Sequence, residues 1–368
     1  GYPLSRALGL LIFGYVAWLA SSVGIPHTRL TITIVFGVLL VVSASLAYYQ
    51  RDELREEWRT KRKYFLMAEG LFLAFFLIDF LIRLGNSDLW HPAKGGERPM
   101  DFSYFNAVIK STSFPPYDPW FAGGYINYYY YGFVLVATPV KLLGIVPSIA
   151  YNFILPTLFA MVGTGAFSIG WNLVAGRTSN VSDDRPSTFD VRLIAGFSAS
   201  ILAILLGNLG TLQMIYNKLQ QLGSLGTFSW TSTFVQRLTW AIEGLKLTFA
   251  GNTLPIGPGD WYWDPSRVIP PLGGNEITEF PLFTFVYSDL HAHMIVMPIA
   301  LLAISWALSV VAGRAWKQNQ ARPESERRLS IVLSMLIGGL IIGAAYPTNL
   351  SDSYTYLLIG IVALAYSI

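Results

Sequence analysis

No cysteine occurs among the 368 residues. That excludes disulfides, iron–sulfur clusters, thiolate zinc sites and a cysteine nucleophile. Charge is scarce as well: 13% of residues are Asp, Glu, Lys or Arg, against about 25% in soluble domains. Histidine is limited to His27, His91, His291 and His293. None sits midway along an apolar run, so haem or chlorophyll ligation finds no support. The formal net charge of +3 is small, and the Lys and Arg residues gather at the flanks of apolar runs. This is membrane patterning and excludes a nucleic-acid footprint.

What the chain has in quantity is apolar surface, 53% of its residues. Windows of about 20 apolar residues, the length that crosses a bilayer, predict an all-α polytopic membrane protein with about nine helices. They are Leu4–Val23, Leu30–Tyr49, Tyr64–Leu84, Tyr130–Val146, Ile149–Val174, Leu193–Ile215, Met294–Ala312, Leu329–Tyr346 and Tyr354–Ile368. The organisation expected is one membrane domain over 1–368. Residues 1–63 give two leading helices and a basic loop, and 64–368 give a helical module. The strongly basic stretches Gln50–Lys63 and Gly313–Arg328 read as cytoplasmic loops. Residues 85–129, 217–290 and 347–353 then lie outside. One conflict remains: three candidate helices separate the first two outside segments, where parity requires an even number. Either Tyr130–Val146, short and carrying Pro139 and Lys141, is re-entrant or interfacial, or a weak crossing hides near Thr227–Ala250. The chain begins at Gly1 and ends within an apolar run, as part of a longer protein would.

The loop Asn86–Tyr131 is punctuated by nine Pro and Gly turn formers, among them Pro92, Pro99 and Gly123, and carries Asp88, Glu97, Asp101 and Asp118. Long ordered loops of this kind usually have a task. Asp101–Lys110 has the helical period, with Phe102, Phe105 and Ile109 on one face. Glu97 shares a face with Asp101 only if the helix extends back past Pro99, which a first turn tolerates. Farther along, Asp289, His291 and His293 form D-x-H-x-H. One carboxylate and two imidazoles suit a divalent ion; structural hydrogen bonding, or contact with substrate hydroxyls, is the more ordinary role. Glu69, Asp79 and Arg83 fall inside an apolar window, where charges face the bundle or a cavity. Asp79 and Arg83 are four apart and suited to pair.

The segments HPAKGGERPMDFSYFNA and FPPYDPWFAGGYINYYYYG resemble the "YYY" family of large bacterial and archaeal multi-pass membrane proteins. So do WDPSRVIP (Trp263–Pro270), ITEFPLFTFVYSDLHAHM (Ile277–Met294) and, more weakly, YPTNLSDSYTY (Tyr346–Tyr356). In the last segment Ser351 precedes Asp352 where family members tend to have tryptophan. That family in turn resembles the C-type glycosyltransferases, whose first outside loop holds a catalytic carboxylate and whose donor is a polyprenyl-phosphate sugar. The resemblance implies Asp101 as the base, with Glu97 second. Lys94, Arg98 and Arg267 become candidate phosphate partners, since guanidinium forks match phosphate oxygens; headgroup contact is their ordinary alternative. Asp118, Tyr128 and Tyr129 become candidate substrate contacts, and Asp289, His291 and His293 candidate metal ligands for a divalent ion. The partners expected are a lipid-linked sugar and membrane lipids. A non-enzymatic subunit of a larger membrane complex is the alternative, and a transporter the third. If one site exists, Asp101 and the Asp289–His293 motif must meet within about 15 Å, the span of a typical pocket.

Overall fold

The computed structural model describes residues 1–90, 96–178, 190–257, 259–267, 269, 276–313 and 324–367. Among these the named elements are all helical. In chain order the α-helices are α1 Ser5–Ser22, α2 Arg29–Tyr49, α3 Arg51–Gly85, α4 Arg98–Lys110, α5 Tyr130–Leu143, α6 Pro147–Thr178 and α7 Val191–Ile204. There follow α8 Gly210–Gly223, α9 Phe234–Phe249, α10 Asp260–Trp263, α11 Pro281–Tyr287, α12 Ala292–Gly313, α13 Glu324–Thr348 and α14 Leu350–Ser367. The chain divides into two compact units, Gly1–Ser200 with Ser288–Ile368, and Ile201–Tyr287.

Six helices are long and apolar enough to cross a membrane: Tyr2–Ser22, α2, α3, the Pro147–Val174 part of α6, Ala292–Ala312 of α12, and α13. This is fewer than the nine windows. Tyr130–Val146 contracts to 14 residues, about 21 Å at 1.5 Å per residue and short of a 30 Å hydrocarbon core. Leu193–Ile215 breaks between α7 and α8, where Asn208 turns its side chain to the local backbone and accepts the Gly210 N–H at 2.8 Å.

The parity conflict also finds its answer in α5. At its start the Tyr130 hydroxyl accepts from Trp18 Nε1, in the last turns of α1 (3.4 Å). At its end Arg29 Nε, at the start of α2, bonds the Leu142 carbonyl (2.9 Å). The end of α1 and the start of α2 are joined by residues 23–28, so both ends of α5 lie at the same end of the bundle. It does not cross, which takes one of the three windows out of the count between those segments.

The basic stretch Gln50–Lys63 is not a loop but the opening turns of α3. It has no Gly or Pro, and its charges pair along one helix: Asp52 with Arg55, Glu56 with Arg59, Glu57 with Lys61. The loop expected at 347–353 shrinks to Asn349 alone between α13 and α14. Of the basic stretch Gly313–Arg328, residues 314–323 lie outside the described residues.

In the first unit α1, α5, α12, α13 and α14 meet in one apolar core that includes Leu11, Leu135, Ile299, Trp306 and Ala345. Gly338 makes the α12–α13 contact possible, because a Cβ there would stand 2.2 Å from the Trp306 ring. Around this core the outward apolar surface is wide: Ile34, Val38, Leu40 and Val41 of α2 are all more than half exposed. In water that would be an aggregation face; in hydrocarbon it is solvent-matched. In the second unit α8 and α9 form a close antiparallel pair, with Gly223 and Gly244 backing onto the Trp240 and Leu219 carbonyls.

Between α1 and α2 lies His27, 1% exposed. Its Nδ1 meets Ser21 Oγ at 3.1 Å and its ring packs on Phe114. Burial first, and then the Lys141 charge, push its pKa down to about 4. A depressed histidine is neutral in the fold, so its stabilising share is present above pH 6.5 and is lost as pH falls toward 4. Thermal unfolding between pH 7 and 4.5 should therefore fall less steeply in His27→Gln than in the parent; parallel curves would contradict this.

Candidate functional site

Two stretches of chain far apart in sequence converge at the start of α4 and the start of α12. Glu97 caps α4, Pro99 occupies its first turn, and Asp101 N–H closes that turn onto the Glu97 carbonyl at 3.0 Å. The helix thus extends back past Pro99, and its first turn carries both carboxylates. Opposite it, residues 288–291 lead into α12. Ser288 takes the left-handed conformation (φ +69°), which a residue with a Cβ holds only when its surroundings enforce it. Tyr151 of α6 does so: its buried hydroxyl accepts the Leu290 N–H (2.8 Å) and faces the Ser288 carbonyl (3.4 Å). The edges of Phe102 and Phe105 pack on the Tyr151 ring.

This pinned turn aims Asp289 and His291 at α4. His291 Nε2 lies 3.5 Å from Asp101 Oδ2, 3.4 Å from Asp289 Oδ2 and 3.5 Å from Glu97 Oε2. Asp289 Oδ2 also accepts the Glu97 backbone N–H at 2.9 Å, and its Oδ1 faces Arg98 Nε at 3.3 Å. Asp101 is 1% exposed and Asp289 5% at the side chain, whereas Glu97 is 60% exposed. Three carboxylates in so small a space repel one another. Arg98 offsets one charge, and the positive ends of α4 and α12 favour the remainder.

Asp101 and the Asp289–His293 motif therefore meet at ion-pair range, 3.5 Å between Asp101 Oδ2 and His291 Nε2, far inside the 15 Å expected. Exposure separates the two α4 carboxylates: Glu97 faces open space, while Asp101 is enclosed against the imidazole. Arg98 is turned to Asp289 and to the Asp88 carbonyl (2.7 Å). His293 sets its ring edge-on to His291, 5.2 Å between centroids. Tyr128 stacks on Tyr104 and touches Tyr129. Burial first, then the charges of Asp101 and Glu97, raise the Tyr128 pKa and keep it a hydroxyl donor. Asp118 Oδ1 accepts the Trp120 N–H at 2.7 Å. Arg267 belongs to the second unit, where its guanidinium lies 4.1 Å over Trp263 and donates to the Glu276 carbonyl. Lys94 lies outside the described residues.

Four residues that matter here were not among the sequence candidates for the site. Tyr151 carried no signal beyond being an aromatic in an apolar window. Trp120 is 62% exposed, yet its indole N–H is held by Ser103 Oγ at 2.6 Å, which fixes an open ring beside the helix that bears Asp101. Arg83 and Asn152 are the others. Arg83 bonds Asn152 Oδ1 through two nitrogens (3.1 and 2.5 Å), and Asn152 in turn bonds the Ser87 carbonyl. Arg83 thus ties α3 to α6; the expected Asp79–Arg83 ion pair is not among those the described residues form.

The set Glu97, Asp101, Asp289 and His291 offers hard oxygen donors and one imidazole nitrogen. The three 3.4–3.5 Å distances all run from His291 Nε2 itself, and it is His291 and His293 whose ring nitrogens lie within 4.8 Å of each other, as two ligands of one ion can. The same spacings suit an acid–base cluster that exchanges protons through His291.

A family described as "Uncharacterized membrane protein (DUF2298)" matches residues 12–368. No curated protein and no solved structure matches the chain.

Tyr151→Phe removes the hydroxyl that satisfies the buried Leu290 N–H. It should cost about 1–3 kcal/mol in thermal or denaturant unfolding in detergent. An unchanged midpoint would mean that the turn at Ser288 does not depend on Tyr151.

Proposed function

The chain belongs to that membrane-protein family, and we propose that the cluster around His291 is the active site of a glycosyl transfer from a lipid-linked sugar phosphate. The observation that carries the reading is the pairing of an accessible carboxylate, Glu97, with an enclosed carboxylate–imidazole pair, Asp101 and His291, at the mouth of a bundle of apolar helices. Carboxylates in unlike environments take unlike roles.

In this reading Glu97 takes the proton from the acceptor hydroxyl as the acceptor oxygen bonds the anomeric carbon. The bond from that carbon to the phosphate oxygen breaks, and its electron pair leaves on the lipid phosphate. One base and no covalent intermediate suffice for an inverting displacement. Asp101 and Asp289 hold His291 in place, and Arg98 fixes Asp289. A divalent ion with His291 and His293 among its ligands would supply electrostatic stabilisation of the departing phosphate. The open ring of Trp120 offers an apolar face on which a sugar ring can lie. The low polarity of the neighbouring helices suits the tail of the lipid.

The test uses the full chain in nanodiscs with polyprenyl-phosphate sugars as donors. Glu97→Gln should lower kcat by about 10²–10⁴-fold, the usual contribution of a general base. Trp120→Ala should raise KM with little change in kcat. Chelator treatment should abolish transfer, and Mg²⁺ or Mn²⁺ should restore it. Absence of transfer across donors, or transfer unaffected in Glu97→Gln, would overturn the reading and favour an accessory subunit.

A further inference from the structure

The second unit contains a helix with one apolar face left open. On α9, Phe234, Val235, Leu238, Ile242, Leu245 and Phe249 are 42–86% exposed. At 100° per residue these six fall within an arc of about 100°. One flank of the stripe is occupied by α8: Gly244 backs onto the Leu219 carbonyl, Ala241 is buried, and Arg237 reaches across to Gln220 Oε1 at 2.7 Å. The other flank carries Lys246, Thr239, Glu243 and Gln236, with Lys246 and Glu243 paired at 3.0 Å. Before the helix stands Trp230, 60% exposed, with the Arg237 guanidinium 5.7 Å from its ring.

We infer that α9 lies along the membrane–water boundary with this stripe turned into the hydrocarbon, so that the α8–α9 pair is a lipid-anchored element. Three observations favour lipid over a protein partner. The pattern is that of an interfacial helix: a full apolar arc, a charged arc beside it, and an aromatic at the end. The unit is tethered in sequence between the bundle helices α7 and α12, so bilayer is always within reach. The apolar stripe runs the length of α9 without a polar interruption, which matches a uniform apolar medium rather than a patterned protein surface. This inference does not depend on the transfer chemistry proposed above.

The absence of native cysteine allows a direct test. Single cysteines at Leu238, Ile242, Leu245 and Phe249, and at Gln236 and Glu243 for comparison, are spin-labelled in the full chain in lipid nanodiscs. Collision with oxygen and with a water-soluble nickel chelate is then measured. The four stripe positions should collide readily with oxygen and poorly with the chelate, and the two comparison positions the reverse, giving a helical oscillation along α9. Stripe labels as open to the chelate as Gln236→Cys would place the face in water. Labels shielded from both reagents would mean that a protein surface, a second copy or another subunit, covers it. Either result overturns the inference.

Discussion

The convergence of Glu97, Asp101 and Asp289 on the His291 imidazole is the interaction on which the rest of the site depends. Burying carboxylates is costly unless each is paired and hydrogen-bonded. Here the pairing draws on two helix starts at once, α4 and α12, and on Arg98 at the junction. Neither motif can be satisfied alone: the enclosed Asp101 needs the imidazole, and Asp289 needs the Glu97 N–H and Arg98. Their meeting therefore fixes how the segment bearing α4 docks on the bundle.

That docking rests on neighbours with no chemistry of their own. Tyr151 holds the Ser288–Leu290 turn, Phe102 and Phe105 seat on Tyr151, and the Arg83–Asn152–Ser87 chain ties the end of α3 to the start of α6. Polar side chains within apolar helices are expensive and are kept where they have partners. Above them α5 closes the same end of the bundle without crossing it. Lys141 near its end bonds the Ser111 carbonyl just after α4.

Much of this was legible in the chain, for identifiable reasons. Apolar length and scarce charge announced a helical membrane protein, and the 3.6-residue period of Asp101–Lys110 announced α4. Pro99 left its start open, and the first-turn tolerance for proline decided it. The D-x-H-x-H spacing pointed to Asp289 and His291, but read alone it gave no way to choose between His293 and the α4 carboxylates as companions of His291. That choice is made by a turn at Ser288 whose cause, Tyr151, lies 137 positions earlier. The nine apolar windows overcounted because hydropathy does not register where a helix stops: α5 is apolar throughout yet too short, and Asn208 divides Leu193–Ile215. The Gln50–Lys63 stretch reads as a loop by charge, whereas its i,i+3 and i,i+4 pairs make it helix.

The central claim is that Asp101 and His291 form one coupled unit across the α4–α12 junction. A double-mutant cycle on Asp101→Asn and His291→Gln, read by unfolding of the detergent-solubilised protein, tests it most directly. Residues in one charged network couple by roughly 0.5–3 kcal/mol, so the double variant should be clearly less destabilised than the sum of the two single variants. Additive effects would mean that the two side chains do not interact, and the site as described would not exist.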